Sequence, residues 1–259
     1  MGFNKFVKTL LLSFAVAVLA ATPVHANLVS AKIGGGGPPA GWSYVQSLSV
    51  ACTGSTTCAT TLTGTTAGNF LVVTLANVLF GATPVTVTSV TTNSTPSTCT
   101  HATGTANPYD NAGFDSLTTD IYYCPNIAGG SITVTGHLSG SPGVAAWNLV
   151  SEFSPGTSGA GADVGIGNTG VLINGGATTI STATNGNLTQ NNQLVISIAT
   201  HDNSPGTVSA GGGQTVINAD FPAVSYLIGG TSGSPVTQSY SWTTNNATFV
   251  MSIAAFSHP

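Results

Sequence analysis

Seven acidic side chains and five histidines are the chief acid–base groups of this 259-residue chain. Glu152 is the one glutamate, in Leu149-Val150-Ser151-Glu152-Phe153, near the end of an apolar run. A glycosidase sets two carboxyl groups across a cleft, one as acid and the other as nucleophile or base. Asp163, Asp202 and Asp220 could supply the partner, and their spacing does not choose among them. The competing reading of Glu152 is a strand-end carboxylate that faces water or accepts loop N–H bonds. Asn107, Asp110, Asn111 and Asp115 form an oxygen-rich loop segment whose donor types suit calcium, although the spacing is not that of an EF-hand. A solvated polar turn explains the same residues, and no other cofactor is implied.

Other constellations are weaker. His101, His137, His201 and His258 are scattered and read as polar surface or loop residues, and His201 and Asp202, as strand neighbours, would point to opposite faces. Gly165-Ile166-Gly167-Asn168-Thr169-Gly170 matches a dinucleotide fingerprint, but no helix follows it, and a chain with 33 glycines produces such matches by accident. Trp42, Trp147 and Trp242, with Tyr109 and Tyr240, could offer flat apolar faces to a sugar. In a β-sandwich such rings more often fill the core. Trp242, beside Thr243-Thr244-Asn245-Asn246, is the first of these ligand-binding candidates, followed by Tyr240 and Tyr109.

Short strands must carry these residues. Asn69 to Asn77 reads N-F-L-V-V-T-L-A-N, too short for an ordinary helix and apolar enough for a strand buried on both faces. A similar phrase returns at Asn192 to Thr200, N-Q-L-V-I-S-I-A-T. Val85-Thr86-Val87-Thr88 and Ile132-Thr133-Val134-Thr135 alternate aliphatic and hydroxyl residues, the pattern of half-buried antiparallel strands. About a dozen such strands, divided by Gly, Pro, Asn and Ser, predict an all-β antiparallel sandwich. The two halves echo each other, which suggests either duplication or the ordinary likeness of β patterns. The expected domain is one sandwich over 42–259; the alternative is two small ones, 42–155 and 177–259. No regular Thr-x-Thr repeat along the chain supports an ice-binding face.

The N-terminus reads as a secretory signal over 1–26. Lys5 and Lys8 precede the apolar stretch Leu10 to Ala21, and Val24-His25-Ala26 offers a small-residue cleavage site. At 12 residues the stretch falls short of the roughly 20 needed to span a bilayer. A Gly/Pro-rich arm, 27–41, follows. Charged residues make up 4% of the chain, against about 25% in ordinary soluble domains. After signal removal Lys32 is the only cationic side chain besides histidine, so nucleic acid and anionic lipid are excluded as partners. Cys52, Cys58, Cys99 and Cys124 form an even set, as in disulfide-bonded secreted proteins. Of the three pairings, Cys52–Cys58, closing a small hairpin loop, and Cys99–Cys124, closing a longer one, are favoured. The C-x5-C spacing is wrong for the usual zinc pairs.

The pieces Gly68–Ala76, Thr86–Val90, Ile121–Thr135, Trp147–Ser154, Gln193–Ala199 and Phe249–Phe256, in that order, resemble a group of uncharacterised secreted bacterial proteins. That resemblance implies a concanavalin-like or jelly-roll sandwich and a secreted habit, and no activity. With no charge to blunt strand edges, the chain is expected either to protect them by bulges, glycans and Pro or to use them. The functional expectation is therefore a non-catalytic extracellular or cell-surface structural or adhesion protein, whose partners are neutral polysaccharide or other copies of itself. The alternatives are a carbohydrate-binding module and a glycan-active hydrolase or lyase using Glu152.

Overall fold

The computed structural model describes residues 41–80, 84–102, 107–110, 115–156, 161–162, 178–201, 206–219, 221–243 and 248–258. The expected signal and nearly all of the arm, the glycine fingerprint, Asp163, Asp202 and Asp220 lie outside them. The first half contributes β1 (Ser43–Cys52), β2 (Thr57–Thr65), β3 (Phe70–Phe80), β4 (Val87–Thr92), β5 (Thr100–His101), β6 (Asn107–Asp110), β7 (Asp115–Cys124), β8 (Gly130–Leu138) and β9 (Ala145–Ser154). The second contributes β10 (Gly161–Ala162), β11 (Thr179–Ala183), β12 (Gln193–His201), β13 (Val208–Ala210), β14 (Thr215–Asn218), β15 (Ala223–Gly229), β16 (Thr237–Trp242) and β17 (Phe249–Ser257). The all-β, antiparallel sandwich architecture read from the sequence is present.

Four sheets form, two from each half. Sheet 1 has the order β2-β8-β4, sheet 2 the order β1-β9-β3-β7-β5 with β6 also on β7, sheet 3 the order β10-β17-β12-β15-β14, and sheet 4 the order β11-β16-β13. Apart from β6, sheets 2 and 3 correspond strand for strand, as do sheets 1 and 4, so the halves share one topology. Core side chains fix the stacking. Leu62, Ile132 and Val134 of sheet 1 pack on Leu71, Val73 and Leu75 of sheet 2. The opposite face of sheet 2, with Phe70, Val72, Ile121 and Phe153, packs on Leu194, Ile196, Val224 and Phe256 of sheet 3. Beyond sheet 3, Ala199, Phe249 and Met251 meet Ile180, Tyr240 and Trp242 of sheet 4. The layers therefore run 1-2-3-4.

This stacking explains the two apolar phrases. β3 and β12 lie inside layers covered on both sides, so neither face needs polar residues, and every residue of β12 is buried. The central layer is aromatic: Phe70 meets Trp42, Tyr123 and Phe256 with ring centroids 5.1–5.5 Å apart. One hydroxyl pair crosses it, Thr119 Oγ1 to Ser252 Oγ at 2.7 Å.

The outer sheets alternate as half-buried strands should. In β8, Ile132, Val134 and Leu138 are buried, while Thr133, Thr135 and His137 are partly exposed. Gly136 keeps the inward rhythm without a side chain, because a Cβ there would collide with Leu75 of β3.

The favoured disulfides are both formed. The expected hairpin around the first is corrected, however. Cys52 ends β1 in sheet 2 while Cys58 lies in β2 of sheet 1, so the bridge ties two layers together. Cys99–Cys124 joins the β4–β5 connection to the end of β7.

The strand edges are blunted by geometry. β1 is irregular between Tyr44 and Gln46, β2 between Leu62 and Thr65, β4 between Val87 and Ser89, and β14 between Val216 and Asn218. A bulge bends the strand and interrupts the ladder that a second chain would extend. Among the described residues the two exposed large hydrophobic ones, Val45 and Val216, sit at two of these irregularities. The other edge strands, β5, β10, β11 and β13, run only two to five residues.

Candidate functional site

Glu152 points from β9 into the layer between sheets 1 and 2, opposite Leu71 in register. It is fully buried. Its Oε2 accepts a bond of 2.6 Å from Gln46 Nε2. Its Oε1 accepts 2.8 Å from the Thr66 backbone N–H and 2.6 Å from Asn69 Nδ2. A carboxylate holding three donors is a satisfied buried charge, here tying β1, the β2–β3 turn and β9 together. The reading of Glu152 as a carboxylate that accepts loop N–H bonds stands, in the Thr66 N–H; the water-facing and catalytic readings are corrected, because no solvent reaches the group and, among the described residues, none of its hydrogen-bond partners is a carboxyl group.

Asn148, four residues earlier on the same face, also bridges the layers. Its Nδ2 donates to the carbonyls of Cys58 at 2.9 Å and Val134 at 3.0 Å, both in sheet 1. Thr60 Oγ1 returns a bond of 2.7 Å to the Asn148 carbonyl.

The sugar-stacking candidates are also displaced. Trp242 is 4% exposed and stacks on Phe249 with centroids 3.7 Å apart. Tyr240 is 1% exposed. Its hydroxyl donates to the Ser197 carbonyl at 3.0 Å and lies 2.9 Å from both Ser197 Oγ and Ser225 Oγ. Burial pushes the Tyr240 phenol up to about 12. The inward positions of β16 are even-numbered, and apolar rings there fill the core, so neither residue presents a face to a ligand.

The segment expected to loop around calcium is partly strand. Asn107 pairs with Thr119 and Asp110 with Ser116, while Asp115 opens β7 opposite Phe80. The side chains of Asn107, Tyr109, Asp110 and Asp115 lie outside the described residues. Among the described residues no cluster of three or more His, Cys, Asp or Glu side chains forms.

Two groupings escaped the sequence. Asp120, buried on β7, accepts the Ile121 N–H at 3.1 Å and contacts His101 Nε2. His101 is a cross-strand neighbour of Tyr122, with ring centroids 4.6 Å apart. Burial, reinforced by the Asp120 charge, raises the Tyr122 phenol. A two-residue strand leaves no periodic signal, so nothing announced this pairing. His201 is buried too, its ring 4.3 Å from Phe221 and 5.2 Å from Phe249, which corrects its reading as a surface residue.

The second grouping is a surface. Across sheet 1 the outward residues line up as Thr57–His137–Ser89, Ala59–Thr135–Thr91 and Thr61–Thr133. Thr61 and Thr133 share a hydroxyl hydrogen bond of 2.8 Å, and Thr91 bonds His137 at 2.9 Å. Across sheet 4 the rows are Thr179–Ser241–Ser209, Ser181–Ser239 and Ala183–Thr237. Neither set contains a carboxylate, a lysine or an arginine. A shallow groove of about 460 Å³ flanks β11, lined by Ser181, Thr184, Asn185, Asn187 and Pro235 among others. The repeat absent along the chain is thus present across the strands, where sequence spacing does not display it.

The chain matches no protein-family model and no curated protein.

Proposed function

We propose that this is a secreted, non-catalytic extracellular or cell-surface protein of structural or adhesive role, which contacts neutral polysaccharide through its hydroxyl-clad outer sheets. One observation carries the reading: both outer layers turn ordered rows made mostly of Thr and Ser, without a carboxylate, lysine or arginine, toward solvent. Such faces exchange hydrogen bonds with water for hydrogen bonds with a polyhydroxylated partner, at a modest gain per contact. They offer nothing to a polyanion, whose binding needs cationic side chains.

Supporting the compartment are the signal-like N-terminus, the resemblance to secreted bacterial proteins, and two disulfides. No helix among the described residues is long and apolar enough to cross a membrane. The hydrolase alternative loses its motive with the burial of Glu152.

The test is sedimentation with insoluble neutral polysaccharides and with an anionic one. Expected is retention on at least one neutral polymer, little change on raising salt, and weakening by T133K/T135K. Equal binding to the anionic polymer, or no binding to any neutral one, would refute it. The same rows of hydroxyls and methyls favour a second reading, an ordered ice surface; thermal hysteresis measured on the mature chain separates the two.

A further inference from the structure

We infer that the protein is bivalent: sheets 1 and 4 each dock a separate neutral polysaccharide segment, so that one molecule bridges two polymer chains. This rests on the polysaccharide reading and adds its geometry. Sheets 1 and 4 are the equivalent sheets of the two halves, with matching strand order. They form the first and last layers of the stack, because sheets 2 and 3 fill the space between them. Their hydroxyl rows therefore face away from one another, and a single short segment cannot lie on both.

The occupant follows from chemistry and size. Strands about 4.8 Å apart and rising about 3.3 Å per residue give each face on the order of 250–400 Å². A stable protein interface buries about 800 Å² per partner around an apolar core. These faces are smaller and carry hydroxyls, so a second copy of this chain gains little by docking there. The irregular or short edge strands also interrupt lateral sheet extension. A long neutral polymer behaves differently, since it repeats the same weak contact many times and the second engagement is intramolecular. Outward residues on one strand recur every two positions, about 6.6 Å, which gives a chain of sugar rings a regular series of hydroxyl partners.

The experiment uses the mature protein with a soluble neutral polysaccharide of the type it retains. Dynamic light scattering and rheology report bridging, and affinity electrophoresis reports binding. T133K/T135K alters sheet 1, and S239K/S241K alters sheet 4; the positions face outward, and circular dichroism with thermal melting checks that both variants fold. Wild type is expected to cluster the polymer. Each single-face variant should still bind, with avidity on an immobilised polymer lowered about 100-fold, and should no longer cluster it; the combined variant should do neither. Binding without clustering by wild type overturns bivalency and leaves the polysaccharide reading standing. Loss of all binding in one single-face variant also overturns it, because only one face would then be a site. No binding by wild type overturns both. Clustering in the absence of polymer assigns the faces to a second copy and overturns the inference.

Discussion

Between sheets 1 and 2 the buried polar groups include Asn148 and Glu152 of β9, which reach toward neighbouring strands and collect backbone and amide partners, and Thr60 of β2, which bonds the Asn148 carbonyl. Between sheets 3 and 4 the equivalent strand, β17, turns Met251, Ile253 and Ala255 to the matching layer. Polarity there sits on β12, β15 and β16 instead, as the Ser197–Ser225–Tyr240 hydroxyl cluster, extended by Gln214. The first half also has both disulfides, and the second has none. Strand order is thus common to two halves whose internal fastenings differ. Topology here depends on which strands are apolar on which faces, and several chemistries serve to lock it.

Perturbing one half should therefore leave the other intact. The largest effect is expected from Glu152→Ala, which strips the buried Asn69 amide of its acceptor, loosens part-buried Gln46 and Thr66 and leaves a cavity; the unsatisfied amide at about 1–3 kcal/mol and the lost packing together give roughly 3–5 kcal/mol. Urea unfolding measures it, and hydrogen exchange should quicken in β1 and β9 while β12 is unchanged. Uniform loosening of both halves would show that they are not independent. Next is Cys99→Ser/Cys124→Ser. The bridged residues are 25 apart in sequence, for which chain entropy gives about 3.5 kcal/mol; the change should be seen in β7 and not in β15.

The smallest concerns the second half. Tyr240→Phe removes a buried hydroxyl from its partners and should lower stability by about 1–2 kcal/mol. It should also remove one part of the alkaline loss of stability, the raised Tyr122 phenol supplying another. The phenol, near 10 when unfolded, is raised to about 12 in the fold, so the folded state holds the proton more tightly. Its contribution is complete below pH 10 and is lost as pH climbs through about 12, a fall of roughly 2–3 kcal/mol. An identical alkaline melt in wild type and Tyr240→Phe would assign that loss elsewhere.

The strands were largely legible, because runs such as Leu71–Leu75 and Leu194–Ile198 are too branched and too short for helices. Their orientation was not. Aligning the two phrases matches Leu71 with Leu194, yet Leu71 faces sheet 1 across its own sandwich, whereas Leu194 faces sheet 2 across the central layer. A one-residue offset turns every side chain over, and a run buried on both faces carries no alternation to reveal it. β2 shows little periodic signal, because its inward positions include Cys58 and Thr60 beside a single Leu62. The Glu152 cluster joins residues 83–106 positions apart, a separation over which spacing says nothing. The Trp242 and Tyr240 assignments failed for a simpler reason: ring type is the same in a core and on a platform, and only the parity of the strand position tells them apart.

The bulges at Tyr44–Gln46, Leu62–Thr65, Val87–Ser89 and Val216–Asn218 matter beyond the fold. Proteins usually keep apart in crowded fluids by electrostatic repulsion, which brine shortens and acid alters. Backbone kinks are indifferent to both. A molecule guarded in this way should stay dispersed from fresh water to concentrated salt, whatever ions its surroundings hold.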